Sequence, residues 1–237
     1  QSAFENQDAV VSVVDPDRIP EQKAMIDAAI AAGVSRFVPS EFGDNTVDER
    51  VRDLVPLYNE KWNIAEYLRT KESDGFSWTA LITGPMFDWA LKSGFLGFDL
   101  EAHTAGIADQ GTVSFALTKP TTVASAVANM LQDSELLKAT TNKYIYIASY
   151  TTTQNDILAK LQKLTDDHWR MEREHSQQVL AKHSELYHKV AEKMPVVPLL
   201  NRAGTHEAAF GDIRKVEGGL WNEKLGLPKD DLEEDLK

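Results

Sequence analysis

Residues 36–45, RFVPSEFGDN, open as an apolar strand and close in an acidic, glycine-containing turn, with Ser40 and Glu41 where the strand should stop. Upstream, residues 8–14 (DAVVSVV) are a β-branched run bounded by polar residues, the pattern of a strand buried on both faces. Between the two lies DPDRIPEQKAMIDAAIAAG (15–33), with a capping Asp15, an early proline, an apolar stripe through Ile26 and Ile30, and Gly33 as terminator. That pattern predicts a helix. Strand, helix and strand within about thirty residues make a βαβ crossover, which forces a parallel pair and places helices over the sheet.

The alternation continues downstream. A helix from about Pro56 to Lys71 precedes FSWTALIT (76–83), a third strand, and three consecutive units predict a doubly wound α/β sheet. Past TGP (83–85), the stretch FDWALKSGFLGFDL (87–100) reads as a lid or pocket wall, and its aromatics Phe87, Trp89, Phe95 and Phe98 serve equally well as core. Strands are expected in GTVSFALTK (111–119) and KYIYIAS (143–149), and helices in TVASAVANML (122–131) and TQNDILAKLQKLT (153–165), the last capped near Thr153. Residues 166–193, polar with sparse apolar positions, read as a surface helix or a pair of helices. The acidic tail LWNEKLGLPKDDLEEDLK (220–237) reads as a short terminal helix.

Composition excludes several classes of function. In 237 residues with a formal net charge of −12, clustered basic surface is scarce, which argues against a nucleic-acid partner. No apolar run approaches the roughly 20 residues that cross a bilayer, so no membrane partner is expected. Cysteine is absent, which removes disulfides, thiolate nucleophiles and Cys-ligated metals and suits a cytoplasmic location. Neither H-E-x-x-H nor G-x-S-x-G occurs, and the histidines read as solvated surface, so no metal site and no seryl hydrolase is expected. The first residues, QSAFENQDAV, show no basic leader or apolar core of a signal peptide, and they lack an initiator methionine, which suggests sequence missing upstream.

In open parallel α/β sheets, ligands bind at the carboxyl ends of the strands. Three such ends are legible: Val14-Asp15, Ser40-Glu41-Phe42-Gly43, and Thr83-Gly84-Pro85-Met86-Phe87. A flat ring could rest on Ser40, Phe42 and Gly43, although an ordinary strand-to-loop turn fits the same residues. Lys61 stands on the stripe of Leu57, Ile64 and Leu68, where a lysine must snorkel, find an acceptor or do chemistry. Tyr58 precedes it by three residues, one short of a Tyr-x-x-x-Lys dyad.

With these residues assembled, the chain resembles the NmrA-like and isoflavone-reductase-like family of atypical short-chain dehydrogenases, fungal type. The resemblance is carried by DAVVSVV, QKAMIDAAIAAGVSRFVPSEFGDN, TALITGPMFDWALKSGFLGFDL, NKYIYIAS and KLGLPKDDLEE, and AAGVSRFVPSEFG (31–43) is its most specific stretch. It implies a Rossmann-like doubly wound parallel sheet, N-terminally truncated, in which residues 1–100 are the remaining part of an NAD(P)-binding domain. Residues 101–237 would form an interleaved, smaller α/β substrate lobe. It further implies NADP as cofactor, Lys61 as the catalytic lysine, and Val14, Ser40, Phe42, Gly43, Lys61, Gly84, Pro85, Met86 and Phe87 as the nicotinamide side of the cleft. The implied activity is NAD(P)H-dependent reduction of a small aromatic or cyclic substrate. The alternatives are a non-catalytic NAD(P)-sensing regulator that binds a transcription factor, and an inactive, self-associating fragment.

Two departures bear on this. The family's glycine-rich G-x-x-G-x-x-G turn does not precede Gln1, so NADP binding is expected to be impaired. Asp15 also stands where the family has glycine after VVSVV, which would crowd an anionic cofactor.

Overall fold

The computed structural model describes residues 2–190, 202 and 210–237. Its organising element is a four-stranded parallel sheet with β1 (Ala9–Val11) on the outside, then β2 (Arg36–Val38), β3 (Ser77–Ile82) and, last, β7 (Lys143–Tyr146). The predicted helix over 15–33 divides in two. Pro20 has no N–H to give an α-helix, so Pro16–Glu21 winds as a 3-10 helix and α1 proper spans Gln22–Ala31.

Alternation along the strands sends successive side chains to opposite faces. Phe37, Trp78 and Ala80 meet Ile26 and Ala29 of α1 and Ile64 and Leu68 of α3 (Tyr58–Arg69), which follows the short α2 (Glu49–Leu54). Val38, Leu81 and Ile145 meet Val123, Ala126 and Met130 on the other face. Those three belong to α5 (Pro120–Gln132), with α4 (Phe87–Lys92) before it and α6 (Ser134–Ala139) after it. Helices therefore cover both faces, as the βαβ reading requires.

At the amino ends of the strands, Arg36 is 4% exposed and donates to Ser77 Oγ, Thr79 Oγ1, Thr140 Oγ1, Thr141 Oγ1 and the Leu137 carbonyl. Neutral acceptors thus satisfy a buried cation, and they tie β2 to β3 and to the end of α6.

β1 is shorter than the run that predicts it. As the outer strand it leaves Val11 and Val13 exposed, at 38% and 79%, so it is not buried on both faces.

A second set of strands packs beside the sheet. β4 (Phe98–Asp99) runs antiparallel to β5 (Thr104–Ala108), which pairs in parallel with β9 (Arg170–Glu174). β6 (Phe115–Leu117) and β8 (Tyr150–Thr152) form an antiparallel pair. α7 (Gln154–Thr165) is capped by Thr153, as its sequence predicts. The expected helices over 166–193 are corrected: residues 170–174 are strand, because the free edge of β5 offers them a ladder, and only α8 (Ser176–Lys189) is helical. Residues 191–193 lie outside the described residues. The tail ends in α9 (Leu232–Asp235), held where Lys119 Nζ donates to Asp230 Oδ1 and Asp235 Oδ1 and where Tyr150 donates to Asp235. Among the described residues no helix is long and apolar enough to cross a membrane.

Candidate active site

The site grows out of an interruption in β2. Pro39 ends the ladder, residues 39–41 bulge away from β3, and the chain then returns to it. The Phe42 N–H donates to the Leu81 carbonyl (3.0 Å), and the Gly43 carbonyl accepts from the N–H groups of Thr83 (3.0 Å) and Gly84 (2.9 Å). Phe42 takes φ 33° to make that return. Ser40 is spent on the fold: its N–H donates to Gln22 Oε1 (2.8 Å), and its hydroxyl accepts from Val14 N–H (3.3 Å) and donates to the Val14 carbonyl (3.1 Å). Val14 and Ser40 thus brace the carboxyl ends of β1 and β2 against each other.

The bulge turns the Glu41 side chain inward, to 2% exposure, and its carbonyl toward α3. Lys61 Nζ donates to that carbonyl, so the lysine of the apolar stripe finds a main-chain acceptor. Nζ lies 5.7 Å from the centre of the Tyr58 ring, and the Tyr58 hydroxyl donates to Asp44 Oδ2 (2.9 Å). A Cβ added to Gly43 would come 3.4 Å from both the Glu41 carbonyl and Lys61 Nζ, so glycine leaves the approach to the ammonium clear.

Thr46 Oγ1 donates to Glu41 Oε2 (3.0 Å), yet burial pushes the Glu41 carboxyl up to about 7, against the pull of the Lys61 ammonium and the Thr46 hydroxyl. A consequence for stability follows. The ordinary value is 4.5, so the folded state binds this proton more tightly than the unfolded chain does. Its contribution to stability is complete below about pH 4.5 and is lost as pH rises through about 7, a swing of up to about 3 kcal/mol. Glu41→Gln should therefore match the parent in urea unfolding at pH 4 and exceed it at pH 8; equal midpoints at both would contradict a buried, reluctant carboxyl.

Near this group lies a small cavity of about 20 Å³, room for little more than a water molecule. Asp44, Asn45, Gly84, Pro85 and Arg202 line it together with the apolar Phe95, Phe115, Phe210 and Ile213. Gly84 has φ +64°, and a Cβ there would lie 2.5 Å from the Ala116 carbonyl oxygen, so β6 closes on a backbone that only glycine can supply. Pro85 accepts from Thr118 N–H (3.2 Å) and Phe87 N–H donates to the Thr118 carbonyl (2.9 Å), which fixes the 84–87 backbone along the cavity. Met86 packs with Phe42 against the α5 side of the sheet.

The four aromatics of the expected pocket wall separate. Residues 87–92 are helix rather than extended chain, so Phe87 and Trp89 diverge. Phe87 and Phe98 are core, Phe87 packing edge-on to Tyr150 at 5.1 Å. Trp89 is 51% exposed and lies against Phe95 at 5.3 Å, and of the four only Phe95 lines the cavity. The sequence reading passed over Glu41 as a buried acid, and it passed over Asp44 and Tyr58 as a hydrogen-bonded pair. Glu41, past the end of β2, carries no local signal of its burial, and the pair is signalled by the helix face that Tyr58 shares with Lys61. Phe115 and Ile213 carry no local signal.

A model of the NmrA-like family matches residues 1–197. The oxidoreductase aprR of Aspergillus flavus is 37% identical over 234 residues, 98% of this chain and 76% of that protein. The oxidoreductase poxI of Penicillium oxalicum is 30% identical over 183 residues, 76% of this chain and 57% of its own length. Among solved structures, an isoflavone reductase is similar at TM-score 0.75 and 19% identity, over 99% of this chain and 75% of that one. AtPrR2 with NADP+ and (+)pinoresinol is similar at TM-score 0.75 and 20% identity, over 94% and 72%. At these identities the likeness to solved structures is one of fold.

Proposed function

As the chain belongs to the NmrA-like family, we propose that it is an NAD(P)H-dependent reductase of the isoflavone-reductase-like type, acting on a small aromatic or cyclic substrate. The observation that carries the reading is Lys61: its Nζ is held by the Glu41 carbonyl at the carboxyl edge of the sheet, facing Gly43. The relatives named oxidoreductase, and the NADP+ and pinoresinol of the AtPrR2 structure, support it.

The residues present fit the nicotinamide end of a dinucleotide. Gly43 gives bare backbone where a flat ring approaches, and Phe42 and Pro85 give apolar edges. Bound NADPH would supply the hydride. Lys61 would polarise the substrate oxygen and deliver a proton to it from Nζ. Phe95 and Phe115, which line the cavity, would flank an aromatic substrate and keep water from the reacting oxygen. Residues 1–100 would make up the cofactor side and residues 101–237 the substrate lobe, the two interleaved, since β7 and α5 join the first sheet and α4 and β4 pack with the second set of strands.

Calorimetric titration of the protein with NADPH, followed by NADPH oxidation assays against a panel of phenolic, quinoid and cyclic ketone acceptors, tests the reading. Binding and turnover with at least one acceptor are expected. Binding without oxidation of NADPH by any acceptor would leave a dinucleotide sensor in place of an enzyme.

A further inference from the structure

We infer that Tyr187 of α8 is a positioning residue for Lys61: it seats the joint between α2 and α3, and with it the first turn of the helix that carries the lysine. The inference deepens the proposed role of Lys61 and rests on it.

The start of α3 is weakly specified by its own sequence. Its N-cap is Leu57, whose side chain gives no capping hydrogen bond, and Val55 takes φ −128° and ψ 82°, which breaks the helical path from α2. Short turns close the joint: the N–H groups of Tyr58, Asn59 and Glu60 donate to the carbonyls of Val55 (2.9 Å), Pro56 (3.1 Å) and Leu57 (3.2 Å). A first turn of this kind frays unless something packs on it. What packs on it comes from far along the chain. Tyr187, 8% exposed, forms with Val55 a small buried cluster that Leu57 and Tyr58 meet from the joint and Leu180 and Val190 from α8 and its end. This cluster stands apart from those that cover the two faces of the sheet and the second set of strands.

The course of α8 gives the contact its role. At the start of the helix, Asp109, just past β5, accepts from the N–H and the hydroxyl of Ser176. Leu180 and Tyr187, seven residues apart, share one face of the helix, and that face ends on the joint. The proposed substrate lobe thereby holds the helix of the lysine. From the joint to the reacting group the path is short. Tyr58 donates to Asp44 Oδ2 (2.9 Å), and Asp44 lines the cavity. Lys61, one turn further on, keeps its Nζ 5.7 Å from the centre of the Tyr58 ring while donating to the Glu41 carbonyl. Beyond this turn α3 is fixed by buried Ile64, Ala65 and Leu68, so losing Tyr187 loosens the first turn and leaves the rest of the helix seated. A misplacement of about 1 Å at a reacting group can cost about 10²-fold in rate.

Steady-state kinetics of Tyr187→Ala test this, with Tyr187→Phe as the conservative variant and Leu161→Ala, a buried position of α7, as the control for lost packing alone. Tyr187→Ala should lower kcat about tenfold and leave the dissociation constant for NADPH within about twofold. Tyr187→Phe keeps the ring on the joint and should restore kcat to within about threefold of the parent, while Leu161→Ala should keep the parent kcat. Amide hydrogen exchange gives a readout independent of turnover: in Tyr187→Ala it should quicken about tenfold at Asn59 and Glu60 and stay parent-like along α1. Leu180→Ala takes packing from the same seat and should lower kcat about threefold, so the inference stays open to test if Tyr187→Ala does not fold. Parent-like kcat in the Tyr187 and Leu180 variants, an equal loss in Leu161→Ala, or unchanged exchange at Asn59 and Glu60 would overturn it. An inactive Lys61→Ala alongside such a result would leave the role of the lysine standing, whereas parent-like turnover in Lys61→Ala would remove both.

Discussion

Lys61→Ala is expected to lower turnover by about 10²–10⁴-fold, the usual contribution of a general acid, and to leave NADPH affinity within several-fold. The side chain donates to the Glu41 carbonyl and lies near the Tyr58 ring, and losing the charged hydrogen bond costs about 2 kcal/mol, so the variant should fold. Its fold also rests on Ile64, Ala65 and Leu68, the buried face of α3, which the substitution leaves intact. Ground-state binding and proton delivery thus separate: the change should fall on kcat far more than on KM or on dinucleotide binding. Lys61→Arg is the sharper control, since it keeps the charge but holds its proton too firmly to release it, and it should lose nearly as much. Parent-like turnover in Lys61→Ala, with a parent-like melting curve, would end the assignment.

Gly84→Ala should be among the most damaging single substitutions available to the fold. A Cβ there lies 2.5 Å from the Ala116 oxygen and 2.9 Å from its carbonyl carbon, both main-chain atoms of β6, which is itself paired with β8. β6 has no flexible side chain to yield at that point, so the strand must move, and with it the Thr118 contacts to Pro85 and Phe87. Gly33→Ala serves as its calibration. Gly33 also has positive φ, +82°, but an added Cβ would meet nothing within 4 Å. Gly33→Ala pays the left-handed backbone cost alone, about 1 kcal/mol, whereas Gly84→Ala adds a main-chain clash, and a loss of several kcal/mol should lower Tm by about 10 °C or more. Thermal melts of the two variants compare them directly. If Gly84→Ala melts no lower than Gly33→Ala, β6 is not held against Gly84 as described.

What the amino-acid sequence determined by itself was the part written in local periodicity. The β-branched run at 8–14, the stripe through Ile26 and Ile30, and the terminating Gly33 specify a βαβ unit because burial on a sheet and on a helix repeat at two and about 3.6 residues. The same logic set Lys61 on an apolar stripe and marked 36–45 as a strand end, and the family resemblance rests on those same stretches. Tertiary structure decided whatever depends on residues far apart in the chain. Residues 170–174 are strand because β5 offers an unpaired edge, a fact invisible in their own charged pattern. Phe87 is core and Phe95 lines the cavity because α4 turns between them and β6 and Phe210 close over the other side. Ser40, which sequence placed at the ligand, ties β1 to β2, since Val14 presents both an N–H and a carbonyl to it. Glu41 reads as a solvated acid of a turn until the bulge in β2 buries it beneath Tyr144 and Tyr146, where loss of water, which no local pattern encodes, pushes its carboxyl up to about 7 beside Lys61.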